Sequence, residues 1–288
     1  MTFPIIDAHQ HVWDPNRAHY DWMNDSVAPI NKKMTLADLL PELRTAGIDY
    51  TVQVQSADNS DDTRLMMESA AAHNEVAAIV GYVPLERPEQ AARIVESWKD
   101  DTRMVGVRCL VHNQPDPEWL LRPNVDEGLT VLEKAGLTFD VVAESPELLA
   151  LLPELSRRHP ELKMVVDHLG KPPIDLDARE PWWTAIAEAA ENPNVFAKVS
   201  GLYSASGDAT AWTADSVRPF YERALEVFGS SRLMYGGDWP ISILAGGYRR
   251  VWAGVSVLLE GVDAIDRESI LGRTAADFYS IDSARIGF

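Results

Sequence analysis

His9 and His11 stand two residues apart in Ile5-Ile6-Asp7-Ala8-His9-Gln10-His11, and that spacing sets what they can do together. An extended strand turns every second side chain to the same face, so both imidazoles leave one side of one segment. Imidazole is a common metal ligand and a base near neutral pH. Two of them closing an apolar run offer a metal seat or a proton-transfer site; the plainer alternative is a pair of surface histidines. Further along come Arg108 in Val105-Gly106-Val107-Arg108, His168 in Asp167-His168-Leu169-Gly170-Lys171-Pro172, and Asp238 in Gly236-Gly237-Asp238-Trp239-Pro240. Taken singly, His168 could hydrogen-bond a loop carbonyl and Asp238 could cap a helix. Taken together, they need elements that bring them to one place.

Short β-branched runs alternate with longer amphipathic segments, the grammar of strand and helix in turn. The candidate strands are Ile5 to Val12, Thr51 to Gln55, Ala78 to Val83, Val105 to Val111, Thr138 to Val142, Lys163 to Asp167, Val195 to Val199 and Leu233 to Gly236. Apolar residues at helical spacing lie between them, as in Leu36, Leu39, Leu40 and Leu43, then Leu148, Leu149, Leu152 and Leu155. Eight strands separated by helices predict an α/β fold, a (β/α)8 TIM barrel in one domain over residues 1–288. An open doubly wound sheet usually carries fewer strands and a glycine-rich first turn, where this chain has Trp13-Asp14-Pro15. In such a barrel the chemistry gathers at the C-terminal strand ends. His9, His11, Gln53, Gln55, Arg108, His112, Asp140, His168, Lys198, Ser200 and Asp238 all fall there. Polar groups buried together at one rim need a purpose that offsets their desolvation.

Composition narrows the classes. A net charge of −18 repels polyanions, so no nucleic acid and no anionic membrane is expected as partner. The single cysteine, Cys109, allows no intrachain disulfide, and strand alternation turns it away from the face that holds Arg108. The start of the chain lacks a basic segment followed by an apolar stretch, and no apolar run reaches membrane-spanning length, so a cytoplasmic location is expected. Oligomeric state is not legible.

The chain resembles the amidohydrolase superfamily, in particular the sugar-lactonase branch with L-fuconolactonase and L-rhamnonolactonase, and more distantly 2-pyrone-4,6-dicarboxylate lactonase. The resemblance lies in Asp7-Ala8-His9-Gln10-His11-Val12-Trp13-Asp14-Pro15, Tyr20-Asp21-Trp22, Val105 to Arg108, Val166 to Pro172, Lys198 to Leu202, Leu233 to Pro240 and Thr274 to Tyr279. It implies a metal-dependent hydrolase-like barrel in which Asp238 activates a water and His9, His11 and Asp238 hold a divalent metal. Two departures count against a binuclear site: Arg108 stands where binuclear members often carry a bridging carboxylated lysine, and Asp140 where they carry a histidine. What remains is one metal, zinc favoured, or no metal at all.

The resemblance further implies hydrolysis of a sugar-acid lactone to the aldonate by direct attack of water. Asp238 serves as base, His9, His11 and either a metal or Arg108 polarise the carbonyl, and His168 binds the carbonyl region or helps protonate the leaving alkoxide. Gln55, Trp13, Tyr20, Trp22 and Trp239 are candidates for binding the sugar. No Gly-x-Ser-x-Gly elbow is present for covalent catalysis. The alternatives are a metal-dependent decarboxylase of an aromatic acid on the same fold, and a sugar-binding protein without catalysis. For Arg108 the bland alternative is an ion pair with Asp140 inside the barrel.

Overall fold

The computed structural model describes residues 3–288 apart from 175, 177, 206 and 207. Eight strands, β1 (Ile6–Gln10), β2 (Tyr50–Val54), β3 (Val76–Gly81), β4 (Met104–Cys109), β5 (Thr138–Val141), β6 (Met164–Val166), β7 (Val195–Val199) and β8 (Leu233–Tyr235), form one sheet in chain order. Each pairs in parallel with the next, helices run between them, and Gln10 bridges in parallel to Trp239 to bring the last strand to the first. This is the (β/α)8 barrel the alternation predicts. All eight expected strands are present. Several stop a few residues short of the apolar run, because at the rim the backbone leaves the ladder: after Cys109 it winds into a 3-10 turn over Val111–Asn113.

The leucine pattern at 36–43 forms the helix Leu36–Ala46, with Leu36, Leu39 and Leu43 buried, a capping box between Thr35 and Asp38, and Gly47 at φ 72° ending it. The pattern at 148–155 splits into Pro146–Leu149 and Leu152–Arg158. Pro153 has no N–H to give the carbonyl one turn back, so the ladder breaks there while all four leucines stay buried. One apolar cluster lies between strands and helices. A second brings Val52, Val54, Val80, Val165 and Met234 together with Phe278 and Tyr279. From it the Tyr279 hydroxyl donates to Asp140 Oδ2 at 2.8 Å, joining the apolar filling to a buried polar layer. Among the described residues no helix is long and apolar enough to cross a membrane.

Candidate active site

The seam between β8 and β1 sets the geometry. Asp238 N donates to the His9 carbonyl and His11 N to the Trp239 carbonyl, both at 2.8 Å, so the chain after β8 is laced onto the end of β1. That approach demands glycine: a Cβ on Gly236 would lie 2.6 Å from His9 Cβ, and one on Gly237 would lie 2.3 Å from the Tyr248 ring. Asp7 reinforces the seam by accepting from His9 N at 3.0 Å, Gly237 N at 2.8 Å and the Tyr248 hydroxyl at 2.7 Å. Asp238 takes a left-handed φ of 52° at the turn. Its Oδ1 lies 3.4 Å from His11 Nε2 and 3.7 Å from His9 Nε2, and its Oδ2 accepts from the Tyr203 hydroxyl at 3.0 Å. The two histidine rings stand 4.8 Å apart, on the same side as their spacing predicts.

Beneath His9 is a buried charge layer. Lys198 Nζ lies 2.5 Å from Asp140 Oδ2, 3.0 Å from Asp167 Oδ1 and 3.1 Å from His9 Nδ1. Arg108 Nε is 3.3 Å from Asp167 Oδ2, and one of its terminal nitrogens is 3.2 Å from His9 Nε2. The register sets Arg108 beside Asp140, yet Arg108 pairs with Asp167 and Lys198 takes Asp140, so the expected bland pairing does not form. Burial pushes Asp140 up to about 6. Burial would also raise Asp167, but Lys198, His9 and Arg108 together hold it well below the ordinary carboxylate range. Burial keeps His9 and His168 below the usual imidazole value, so both rings are neutral near pH 7. Burial opposes ionisation of Asp238, but where the rings of His168, His11 and His9 carry a proton they outweigh it, so the carboxyl titrates below its ordinary range and is ionised near pH 7.

The segment after β6 brings in the fourth wall. His168, Leu169, Gly170 and Lys171 all have positive φ, between 48° and 69°, a run that costs strain for the side-chain-bearing residues. The Trp182 indole N–H fastens it by donating to the Leu169 carbonyl at 2.7 Å, and His168 Nδ1 meets Ser200 Oγ at 2.9 Å. His168 thereby joins His9 and Asp238, the three offering ligand atoms within 4.8 Å of one another. His11, expected in that set, remains next to Asp238 but outside this closest group.

These residues fit a single divalent ion. The Val54 carbonyl, 2.7 Å from His11 Nδ1, fixes the hydrogen on that nitrogen, which turns the lone pair of Nε2 toward Asp238 Oδ1. Two acceptors facing each other call for a proton, a water or a cation between them. Asp167 stands in the same way behind His9 Nδ1, and backing of this kind is typical of metal-bound imidazole. The Arg108 guanidinium beside His9 Nε2 competes for the same lone pair.

Above these groups lies a cavity of about 170 Å³. Trp13, Trp22, Leu110 and Ile241 form its apolar side; Arg108, His168 and Asp238 stand on the side of the histidine cluster; His112, Glu144 and Lys171 form a further polar side. Of the expected sugar-binding residues, Trp13 and Trp22 line it, but their indole N–H groups donate to backbone carbonyls of Ile30, Lys32 and Ser56, so only ring faces are offered. Three others do not line it. Tyr20 spends its hydroxyl on Asp62 at 2.9 Å and packs behind the tryptophans. Gln55 is fully buried, its amide nitrogen donating to the Arg108 carbonyl at 2.9 Å and to Asp58 at 3.2 Å. Trp239 is buried and borders a different, surface cleft of about 410 Å³ near Lys32 and Arg249. That cleft is larger, but it holds none of the histidines, and its Arg249 is paired with Glu42 at 2.7 Å. Sequence reasoning assigned no role to Asp167, Lys198 or Glu144, although Asp167 and Lys198 sit inside the motifs that carry the resemblance.

Residues 6–281 match the profile of the family described as amidohydrolase. An L-fucono-1,5-lactonase of Burkholderia ambifaria is 34% identical over 288 residues, covering 98% of this chain and 97% of the relative. An L-fucono-1,5-lactonase of Burkholderia multivorans is 29% identical, covering 96% of each. The crystal structure of an amidohydrolase from Burkholderia multivorans with bound zinc superposes with a TM-score of 0.90 at 28% identity, over 97% of this chain and all of that one.

Proposed function

The chain belongs to the amidohydrolase family, and from that premise we propose that it is a lactonase, hydrolysing a sugar-acid lactone of the aldonic type to the open acid. The observation that carries this reading is the cavity's charge balance around an ionised carboxylate. Arg108 and Lys171 line it together with Asp238 and Glu144, with the buried imidazole of His168 neutral. Such walls suit an uncharged, hydroxylated substrate; a dicarboxylate would need an excess of cations.

In the proposed reaction a water beside Asp238 gives its proton to the carboxylate as its oxygen attacks the lactone carbonyl carbon. Negative charge gathers on the carbonyl oxygen, where the Arg108 guanidinium donates hydrogen bonds that strengthen as the charge develops. The tetrahedral intermediate then collapses: the acyl carbon–ring oxygen bond breaks and the ring oxygen takes a proton. Asp238 returns the proton it holds, or neutral His168 passes one from its N–H and is reprotonated by Asp238. Water is consumed, a hydroxy acid is formed, and its ionisation releases the proton that an assay reads. Where an ion is bound, His9, Asp238 and a further histidine, His168 or His11, would hold it, and it would supply a Lewis acid for the same carbonyl.

The test is acid release from L-fucono-1,5-lactone, followed with a pH indicator, in the wild type and in Asp238→Asn. Turnover should fall by about 10²- to 10⁴-fold in the variant, the range of a lost general base. Absence of acid release by the wild type across a panel of aldonolactones would reject the lactonase reading. Near-normal turnover in Asp238→Asn would reject Asp238 as base.

A further inference from the structure

The hydrolytic steps use only part of the cavity wall. In the cavity that Trp13 and Trp22 also line, His112, Glu144 and Lys171, from the loops after β4, β5 and β6, form a polar group with no part in them. Lys171 Nζ donates to Glu144 Oε1, and His112 Nδ1 stands 3.9 Å from the same oxygen. Oε1 thus carries the internal contacts, while among the described residues no donor reaches Oε2. The three side chains are 25%, 31% and 24% exposed, open to whatever fills the cavity they line.

The chemistry of this wall is specific. Glu144 is held ionised: burial opposes this, but the Lys171 ammonium outweighs it. Burial brings His112 down to about 4, so it is a neutral ring. Lys171 reaches Glu144 from a left-handed backbone at φ 48°, a conformation kept only where the surroundings over-determine it. A carboxylate oxygen with open lone pairs, next to an ammonium that cancels its charge, is an acceptor for hydroxyl groups. The indoles lining the same cavity, with their N–H groups committed to backbone carbonyls, accept the C–H face of a ring.

Resting on the lactonase reading, we infer that Glu144, oriented by Lys171, accepts hydrogen bonds from ring hydroxyls of the substrate and sets the preference for polyhydroxylated over unsubstituted lactones. Glu144→Gln keeps an oxygen for Lys171 and removes the charge. The variant should lose about 30- to 100-fold in kcat/KM on L-fucono-1,5-lactone, chiefly through KM, as expected for a charged hydrogen bond to substrate. On δ-valerolactone, which has no hydroxyls, the change should stay under about threefold by the same reasoning, and the melting temperature should hold. Equal losses on the two lactones, or no loss on either, overturn the assignment.

A binding measurement keeps it separate from the proposed activity. Calorimetry with the polyhydroxylated δ-lactam of the same sugar acid reads the contact without turnover. Weaker lactam binding by Glu144→Gln than by wild type supports the assignment even in a protein that hydrolyses no lactone. Equal binding by both proteins, or none by the wild type, overturns it.

Discussion

Lys198→Met tests the buried charge layer most directly. The substitution keeps a long apolar stem and removes one ammonium that stands 2.5 Å from Asp140 Oδ2 and 3.0 Å from Asp167 Oδ1, with no solvent access. Arg108 still serves Asp167, but Asp140 loses its only cation among the described residues and keeps the Tyr279 hydroxyl alone. Breaking a buried ion pair by deleting one partner costs about 3–5 kcal/mol. The pH dependence gives the sharper signature. Burial already pushes Asp140 up to about 6, so its folded form prefers the proton, and its ionisation weakens the fold as pH rises from the ordinary carboxylate value through about 6, above which the loss is complete. Without Lys198 that preference strengthens. At pH 8 the variant must hold a charge unsupported or pay for protonating it; at pH 5 Asp140 is mostly protonated in either protein. Urea denaturation followed by tryptophan fluorescence should therefore show a loss of about 3–5 kcal/mol at pH 8. The loss should shrink by more than about 1 kcal/mol at pH 5, the worth of one pKa unit. A loss independent of pH, or one below about 1 kcal/mol at pH 8, would refute the coupling of Lys198 to Asp140.

Arg108→Met should raise the barrier to turnover by about 2–4 kcal/mol, the scale of one lost oxyanion donor, with Arg108→Lys restoring only part because it lacks the planar fork. Steady-state kinetics corrected for folded fraction decide it: unchanged turnover per folded molecule with lowered stability would make Arg108 a structural partner of Asp167. Protein loaded with zinc should carry about one ion per chain, for the one group of ligands among the described residues, His9, His168 and Asp238, and lose it in His9→Ala. Zinc content unchanged in that variant would remove His9 from the set, and full turnover after exhaustive chelation would show that hydrolysis proceeds on side chains alone.

The barrel was legible because strand and helix periods differ and eight β-branched runs alternate with leucine stripes. The histidine pair was legible because alternation along one strand is a local property. Pairing inside the barrel is not local. Arg108 and Asp140 lie side by side in the ladder, yet Lys198 of β7 reaches Asp140 and the guanidinium turns to Asp167, choices set by side-chain length and by what enters from other strands. Residue type likewise does not say which end of an aromatic is spoken for. Tyr20 meets Asp62 and Trp239 turns from the cavity, while Trp13 and Trp22 present their rings to it. Nor could residues 168–171 be read as left-handed, since Gly170 is the only one whose type favours that backbone.

The β8–β1 seam ties the earliest strand to the latest, and this has a consequence for the chain as it is made. During synthesis His9 and His11 emerge long before Asp238, and the intervening strands assemble with one flank of the sheet unpaired. No partial product can carry His11 beside Asp238, so chemistry at this rim begins only when the circle is complete. Activity is thus a reporter of closure itself. A circular permutant opened in the loop after β3 would keep the lacing intact, whereas one opened between Gly237 and Trp239 would separate the carboxylate from its histidines without removing a single residue.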